Sequence, residues 1–139
     1  MNTENFKFPE LVIHTHNGMR FYEAPDGNKY PSITTVLGKQ PGKQKGLREW
    51  RERIGEEQAR IVSGKAARRG TAFHNICEDY LNGVEDISHH KDKNFLAYCM
   101  FGEMKSHLDE KIHKVVLQEQ TMYSPKYKVA GRCDFIGIY

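Results

Sequence analysis

The chain has 139 residues, a 38% hydrophobic share and a formal net charge of +3, which suits one domain with a small core and excludes two. Its mean hydropathy is −0.72, and no apolar run approaches the roughly 20 residues that cross a bilayer, so a transmembrane helix is excluded. The opening MNTENFKFPE shows no charged and then apolar leader, and a soluble, cytoplasmic protein is expected.

In chain order, Leu11 to Ile13 and Arg20 to Glu23 are short β-type runs around His16-Asn17-Gly18. Asn and Gly both tolerate positive φ, so this is a hairpin signal. A second turn is expected at Pro25-Asp26-Gly27-Asn28. Across Tyr30 to Gly38, Pro31 sets an extended start, Ser32 is placed to cap, and Gly38 ends a short helical turn. Lys39 to Gly46, with Pro41, Gly42 and Gly46, reads as a loop. Leu47 to about Ala67 reads as a long surface helix carrying Leu47, Trp50, Ile54, Ile61 and Val62, loosened near Ser63-Gly64. A second helix is expected from Gly70 to Leu81, stopped by Asn82-Gly83, followed by a polar loop through His89-His90 and a third helix from Lys93 to Ile112. Val115 to Tyr123 and Val129 to Tyr139 read as strands about a Ser124-Pro125-Lys126 turn. Hairpin, helices, hairpin is the order of an α+β domain.

Charge is unevenly spread. Residues 39–69 hold ten basic and four acidic side chains, a local +6 that leaves −3 for the rest. Such a segment offers phosphate contacts whose strength falls steeply with salt. A solvated helix with i,i+4 ion pairs, such as Glu49 with Arg53, explains the same composition. Cys77, Cys99 and Cys133 form no CxxC pair, which excludes zinc-ribbon and disulfide-scaffold classes and leaves reduced, mostly buried thiols.

Chemistry-bearing residues concentrate on the second expected helix and the last strand. At 100° per residue, Phe73, Ile76, Cys77 and Tyr80 share a helix face, with His74 and Glu78 together at its edge. An imidazole and a carboxylate so spaced hydrogen-bond each other or turn a nitrogen toward a metal. Gly70 and Thr71 before them would let a helix start close to a neighbour or a phosphate. In the last strand Asp134 interrupts an apolar run, and burying its carboxylate needs a cation or donors. Pairing with Arg132 on the same face, or plain solvent exposure, are the simpler readings. Gly131 and Gly137 would then be bulge or bend positions. Glu119 on the preceding strand lies where two carboxylates could converge, a donor set suited to magnesium. His14 and His16 point to one face of a strand, a pattern that is seldom a metal site.

Taken together, Tyr30-Pro31-Ser32-Ile33-Thr34-Thr35-Val36-Leu37, then Arg69-Gly70-Thr71-Ala72-Phe73-His74-Asn75-Ile76-Cys77-Glu78-Asp79-Tyr80-Leu81, then Glu119 and Gly131-Arg132-Cys133-Asp134, resemble the PD-(D/E)xK nuclease superfamily. The match is closest to its RecB-like exonuclease branch, which includes phage exonucleases and the mitochondrial genome maintenance exonuclease. The resemblance spans nearly the whole chain, in the family's order, and implies a restriction-endonuclease-like core. It implies a single nuclease-like domain over residues 1–139, of phage or bacterial-host setting, that hydrolyses DNA phosphodiesters with Mg2+ or Mn2+. In such enzymes the histidine of the G-T-x-x-H helix and the aspartate of the G-x-x-D strand contact the catalytic metal, roles that fall on His74 and Asp134. Glu119 matches an acidic residue on the strand before the aspartate, and Glu78 the acid that follows the histidine. Gly70, Thr71 and Gly131 are supporting positions. The basic segment 39–69 would contact DNA through Arg48, Arg51, Lys65, Arg68 and Arg69, with Trp50 or Tyr30 available to stack on a base.

The family pattern continues from the aspartate to a second acid and a lysine on the adjacent strand, whereas Asp134 is followed here by Phe-Ile-Gly-Ile-Tyr. Those groups complete the metal cage and activate water, so their loss removes much of the transition-state stabilisation. The expectation is an incomplete core: the amino-terminal part of a split or truncated nuclease, inactive or very weak alone. A second polypeptide, or self-association, would add to the C-terminal edge strand. Two other readings stand beside it. In one the site has migrated, with Glu119 as the second acid and Lys126 or Lys128 reaching the water. In the other the chain is a catalytically inactive remnant that binds DNA or regulates a complete nuclease.

Overall fold

The computed structural model describes residues 2–3 and 8–139. It is an α+β fold of two three-stranded sheets and five helices among the described residues. Strands β2 (Val12–His16), β3 (Met19–Glu23) and β4 (Lys29–Pro31) form an antiparallel meander. Strand β1 (Asn2–Thr3) runs parallel to β5 (Lys114–Ser124), which pairs antiparallel with β6 (Val129–Ile138), so this second sheet is mixed. An isolated parallel bridge from Ser32 to Ala130 joins the sheets.

The first hairpin closes as expected, with Asn17 at φ 50° and Gly18 at φ 73°, both left-handed as a two-residue turn of this kind requires. A third strand follows where only an extended start was anticipated, because Phe21 pairs with Pro31 and Tyr22 with Tyr30. Ser32 stands at the N-cap of α1 (Ile33–Gly38) but makes no side-chain cap, its Oγ lying 2.6 Å from Thr34 Oγ1 instead.

The helical region departs most from the sequence reading. The loop expected over Lys39 to Gly46 is the start of α2 (Pro41–Ile54), with Pro41 in the first turn, where its fixed φ suits helix and its missing N–H costs nothing. The break expected at Ser63-Gly64 falls at Gly55, whose φ of 87° is a conformation side-chain-bearing residues rarely adopt. Helix α3 then runs unbroken through 26 residues, Glu56–Leu81. Gly64 and Gly70 each cost about 1 kcal/mol relative to alanine, too little to break a helix flanked by alanine, arginine and lysine. Gly70 and Thr71 therefore lie inside α3, and no helix terminus is available there for a phosphate. Asn82 and Gly83, at φ 81°, end the helix as anticipated.

The polar loop expected at His89-His90 is instead α4 (His89–Lys93), and the third expected helix begins later, as α5 (Phe95–Lys111). Asn94 separates them in an extended conformation and caps α5, its side chain accepting from Ala97 N at 3.0 Å. The thiols are less buried than expected: Cys99 is exposed and Cys77 and Cys133 half-buried, all unpaired.

Two small cores result. Leu11, Tyr22, Ala24, Tyr30 and Ala130 pack the meander onto the far end of the β5–β6 hairpin. Ile76, Ala97 and Phe101 pack α3 onto α5. Tyr30, offered by the sequence as a base-stacking residue, is buried against the Tyr123 ring, centroids 5.7 Å apart, and is unavailable to a base. Its hydroxyl donates to Asp26 Oδ2 at 2.6 Å, and this bond, with the Asn28 N–H, holds the Asp26 carboxyl below its ordinary value.

That lowered value has a pH signature. The stabilisation is complete above the ordinary aspartate pKa and is lost as pH falls through the lowered one. Thermal melts of Tyr30→Phe beside the parent should show a gap that is constant near neutrality and narrows below about pH 4. A gap independent of acid would remove Asp26 from the cause.

Candidate metal centre

The centre is built where α3 crosses the β5–β6 hairpin. His74 and Ile76 sit about 200° apart around the helix, so seating Ile76 at 0% exposure against α5 turns His74 and Glu78 to the opposite side. There they meet Glu119 of β5 and Asp134 of β6. His74 Nδ1 is 3.7 Å from Asp134 Oδ2. Ligand atoms of His74, Glu119 and Asp134 all lie within 4.8 Å of one another. The convergence anticipated from the sequence is thus present for the three residues, with Glu78 on the wall of the same cavity of about 190 Å³.

Glu119 is the inner carboxylate. Its side chain is 17% exposed, against 64% for Asp134 and 55% for His74. Its φ of 52° places it in the left-handed region in the middle of a strand, a conformation that costs a residue with a Cβ of order 1 kcal/mol. Burial raises its carboxyl pKa most; Arg132 opposes this, while Glu78 and Asp134 add repulsion and His74 a smaller attraction. A raised value means the folded state holds the proton more tightly than the unfolded chain. Stability is therefore lost as pH climbs through that window, and a cation at the site offsets the loss.

Arg132 pairs with Glu119 at 2.6 Å, not with Asp134 as the same-face reading supposed. Asp134 is accordingly neither buried nor neutralised by that arginine. Gly131 serves as a close-approach point and not a bend, since a Cβ there would stand 3.2 Å from Ile33 Cγ2. The floor of the cavity is apolar, from Phe73, Leu81, Leu108, Ile112 and Phe135, none of which the motif reading singled out. Cys77 also lines it, and burial pushes its thiol pKa up. Gln118 lines it too, and its buried Oε1 has no hydrogen-bond partner among the described residues.

Two carboxylates and an imidazole form an oxygen-rich donor set, which fits Mg2+ or Mn2+ better than softer ions. Bonds of 2.0–2.1 Å put neighbouring ligand atoms of an octahedral ion about 2.9 Å apart and opposite ones about 4.2 Å, so the three side chains would draw together on binding.

Other expected contributors lie elsewhere. Lys126 and Lys128 occupy the hairpin turn, five residue steps from the Glu119–Asp134 level, or about 17 Å along the strands, beyond a lysine's reach. His14 hydrogen-bonds Glu23 at 2.8 Å across the first hairpin. In the basic segment, Glu49 pairs with Lys45 at 3.7 Å and Arg48 with Glu52 at 4.0 Å, in place of the Glu49–Arg53 pair supposed. Arg51, Lys65, Arg68 and Arg69 are exposed and have no ion-pair partner among the described residues. Trp50 is half-buried.

No protein-family model, curated protein or solved structure matches this chain.

Proposed function

We propose that this chain is the ligand-bearing part of a metal-dependent DNA nuclease of PD-(D/E)xK type, with His74, Glu119 and Asp134 holding Mg2+ or Mn2+. The observation that carries the reading is the meeting of these three residues, from α3, β5 and β6, at one cavity. They are the residues that the family resemblance selected from sequence order.

A divalent cation bound there would polarise a phosphodiester and lower the pKa of the attacking water. The chain's own groups do the rest. Asp134, the most exposed of the three, would hold the cation from the solvent side, where phosphate approaches. Arg132 holds the Glu119 carboxylate in place, and the apolar floor limits the water around it. Arg48, Arg51, Lys65, Arg68 and Arg69 supply a cationic surface along α2 and α3 for the DNA backbone.

The second acid and the lysine of the superfamily pattern would arrive on a strand beside β6. Beyond the Ser32–Ala130 bridge, the outer edge of β6 has no strand partner among the described residues. In this reading a further strand carrying those two groups pairs there and completes both the sheet and a restriction-endonuclease-like core.

The test is cleavage of end-labelled single-stranded and duplex DNA with Mg2+, Mn2+ or chelator, alongside Mn2+ binding. Metal binding at His74, Glu119 and Asp134 with feeble cleavage supports a half-site that needs the further acid and lysine. DNA binding that is indifferent to metal, with no Mn2+ bound, would overturn it in favour of a catalytically inactive DNA-binding remnant. In a salt titration, replacing Arg68 and Arg69 together by glutamine should make the slope of log K against log[salt] shallower by roughly 1.4 to 1.8. An unchanged slope would take them out of the phosphate footprint.

No helix among the described residues is long and apolar enough to cross a membrane.

A further inference from the structure

A second cluster of ligating side chains lies at the other side of α3, away from the β5–β6 hairpin. His90 Nε2 donates to Asp79 Oδ2 at 2.7 Å, and His89 Nε2 stands 3.7 Å from the same oxygen. The two imidazole rings are 4.1 Å apart, centroid to centroid. We propose that Asp79, His89 and His90 form a second divalent-metal site, selective for zinc-like ions, that clips α4 to α3.

Four features of the cluster carry this. First, one hydrogen bond satisfies the buried imidazole of His90, whose side chain is 7% exposed, so a second imidazole turned to the same carboxylate oxygen is not needed for packing. Second, the ligand atoms lie within 4.8 Å of one another, and zinc with bonds of about 2.0–2.2 Å closes such a set by movements below 1 Å. Third, the approach is open on one side: His89 is 47% and Asp79 36% exposed, which leaves coordination positions for water. Fourth, the loop that leads into the histidines of α4 is already set. Gly83 turns left-handed at φ 81°, and Ser88 N donates to Asp86 Oδ1 at 2.8 Å just before α4 begins. An ion therefore finds the pair of histidines delivered to Asp79 with little chain left to order.

The donor chemistry also separates this cluster from the first. Two imidazoles and one carboxylate suit zinc, copper or nickel, whereas the two carboxylates and one imidazole of the other centre suit magnesium or manganese. One short protein would then sort two classes of metal by ligand type. The inference does not depend on the nuclease reading, because it concerns residues that take no part in it.

The experiment uses the full chain stripped by chelator, then titrated with Zn2+ in equilibrium dialysis and with Co2+ followed by its visible absorption. Zn2+ should bind through Asp79, His89 and His90, and at about a hundred times its Kd there should raise the thermal midpoint by roughly 5–10 °C. His89→Gln, on the exposed ligand, and Asp79→Asn should each weaken Zn2+ binding at least tenfold and dim the Co2+ bands. His89→Gln should leave the metal-free midpoint where it is, which separates a lost ligand from a damaged fold. Asp134→Asn should leave Zn2+ affinity unchanged. Equal affinity in parent, His89→Gln and Asp79→Asn would overturn the proposal, as would loss of Zn2+ in Asp134→Asn.

Discussion

Asp134→Asn is expected to cost the first centre 10-fold to 100-fold or more in Mn2+ affinity while leaving the fold intact. Each carboxylate contributes one of only two negative charges in the set, and Asp134 is the one not shared with an arginine. Because its side chain is 64% exposed, the isosteric amide should change stability by no more than about 0.5 kcal/mol. Free Mn2+ measured by electron paramagnetic resonance, beside a urea titration, reads both quantities. Retained Mn2+ affinity would show that the ion sits elsewhere, and the nuclease reading would lose its basis. Glu119→Gln should show the same loss of affinity, but it also removes a carboxylate whose ionisation the fold resists. Metal-free Glu119→Gln should therefore lose less stability with rising pH than the parent, which separates the two carboxylates by their surroundings.

Ile76→Ala should be strongly destabilising. Ile76 is 0% exposed and is the residue through which α3 meets Ala97 and Phe101 of α5. Truncating it removes three carbons and leaves a cavity that the two helices fill poorly, at a cost of about 2–5 kcal/mol. A domain of this size holds on the order of 5–15 kcal/mol, so the loss is a large share of the whole. Urea unfolding should show a midpoint shift at nearly constant slope. Since Ile76 also fixes the rotation of α3, Mn2+ affinity should fall alongside, although the substituted side chain touches no ligand. An Ile76→Ala protein as stable as the parent would mean that α3 is held chiefly by other contacts.

The first hairpin was legible because Asn17-Gly18 is a local instruction: two residues that accept positive φ, between β-type runs. The end of α3 at Asn82-Gly83 was legible for the same reason. The misplaced helix boundaries had another origin. Glycine weakens helix and proline starts it, and the local signal does not say which effect prevails. Gly64 and Gly70 are absorbed into α3, Gly55 breaks the chain at φ 87°, and Pro41 opens a helix inside an expected loop. Those outcomes depend on how α2, α3 and α5 pack, which lies outside any ten-residue window.

The metal centre divides in the same way. His74 and Glu78 share a face by helical period, and Asp134 stands out as an acid in an apolar strand, so the sequence pattern drew attention to these residues, while a metal role for His74, Glu119 and Asp134 came only from the family resemblance. The sequence by itself also determined the α+β class and the basic stretch, because periodicity, turn chemistry and charge are properties of neighbouring residues. Only the tertiary structure decided that Arg132 goes to Glu119 and leaves Asp134 open, that Tyr30 is buried on Tyr123, and that His89 and His90 meet Asp79. Each of these joins separate elements, and their distances follow from how the two small cores seat the helices and sheets, not from the order of residues along the chain.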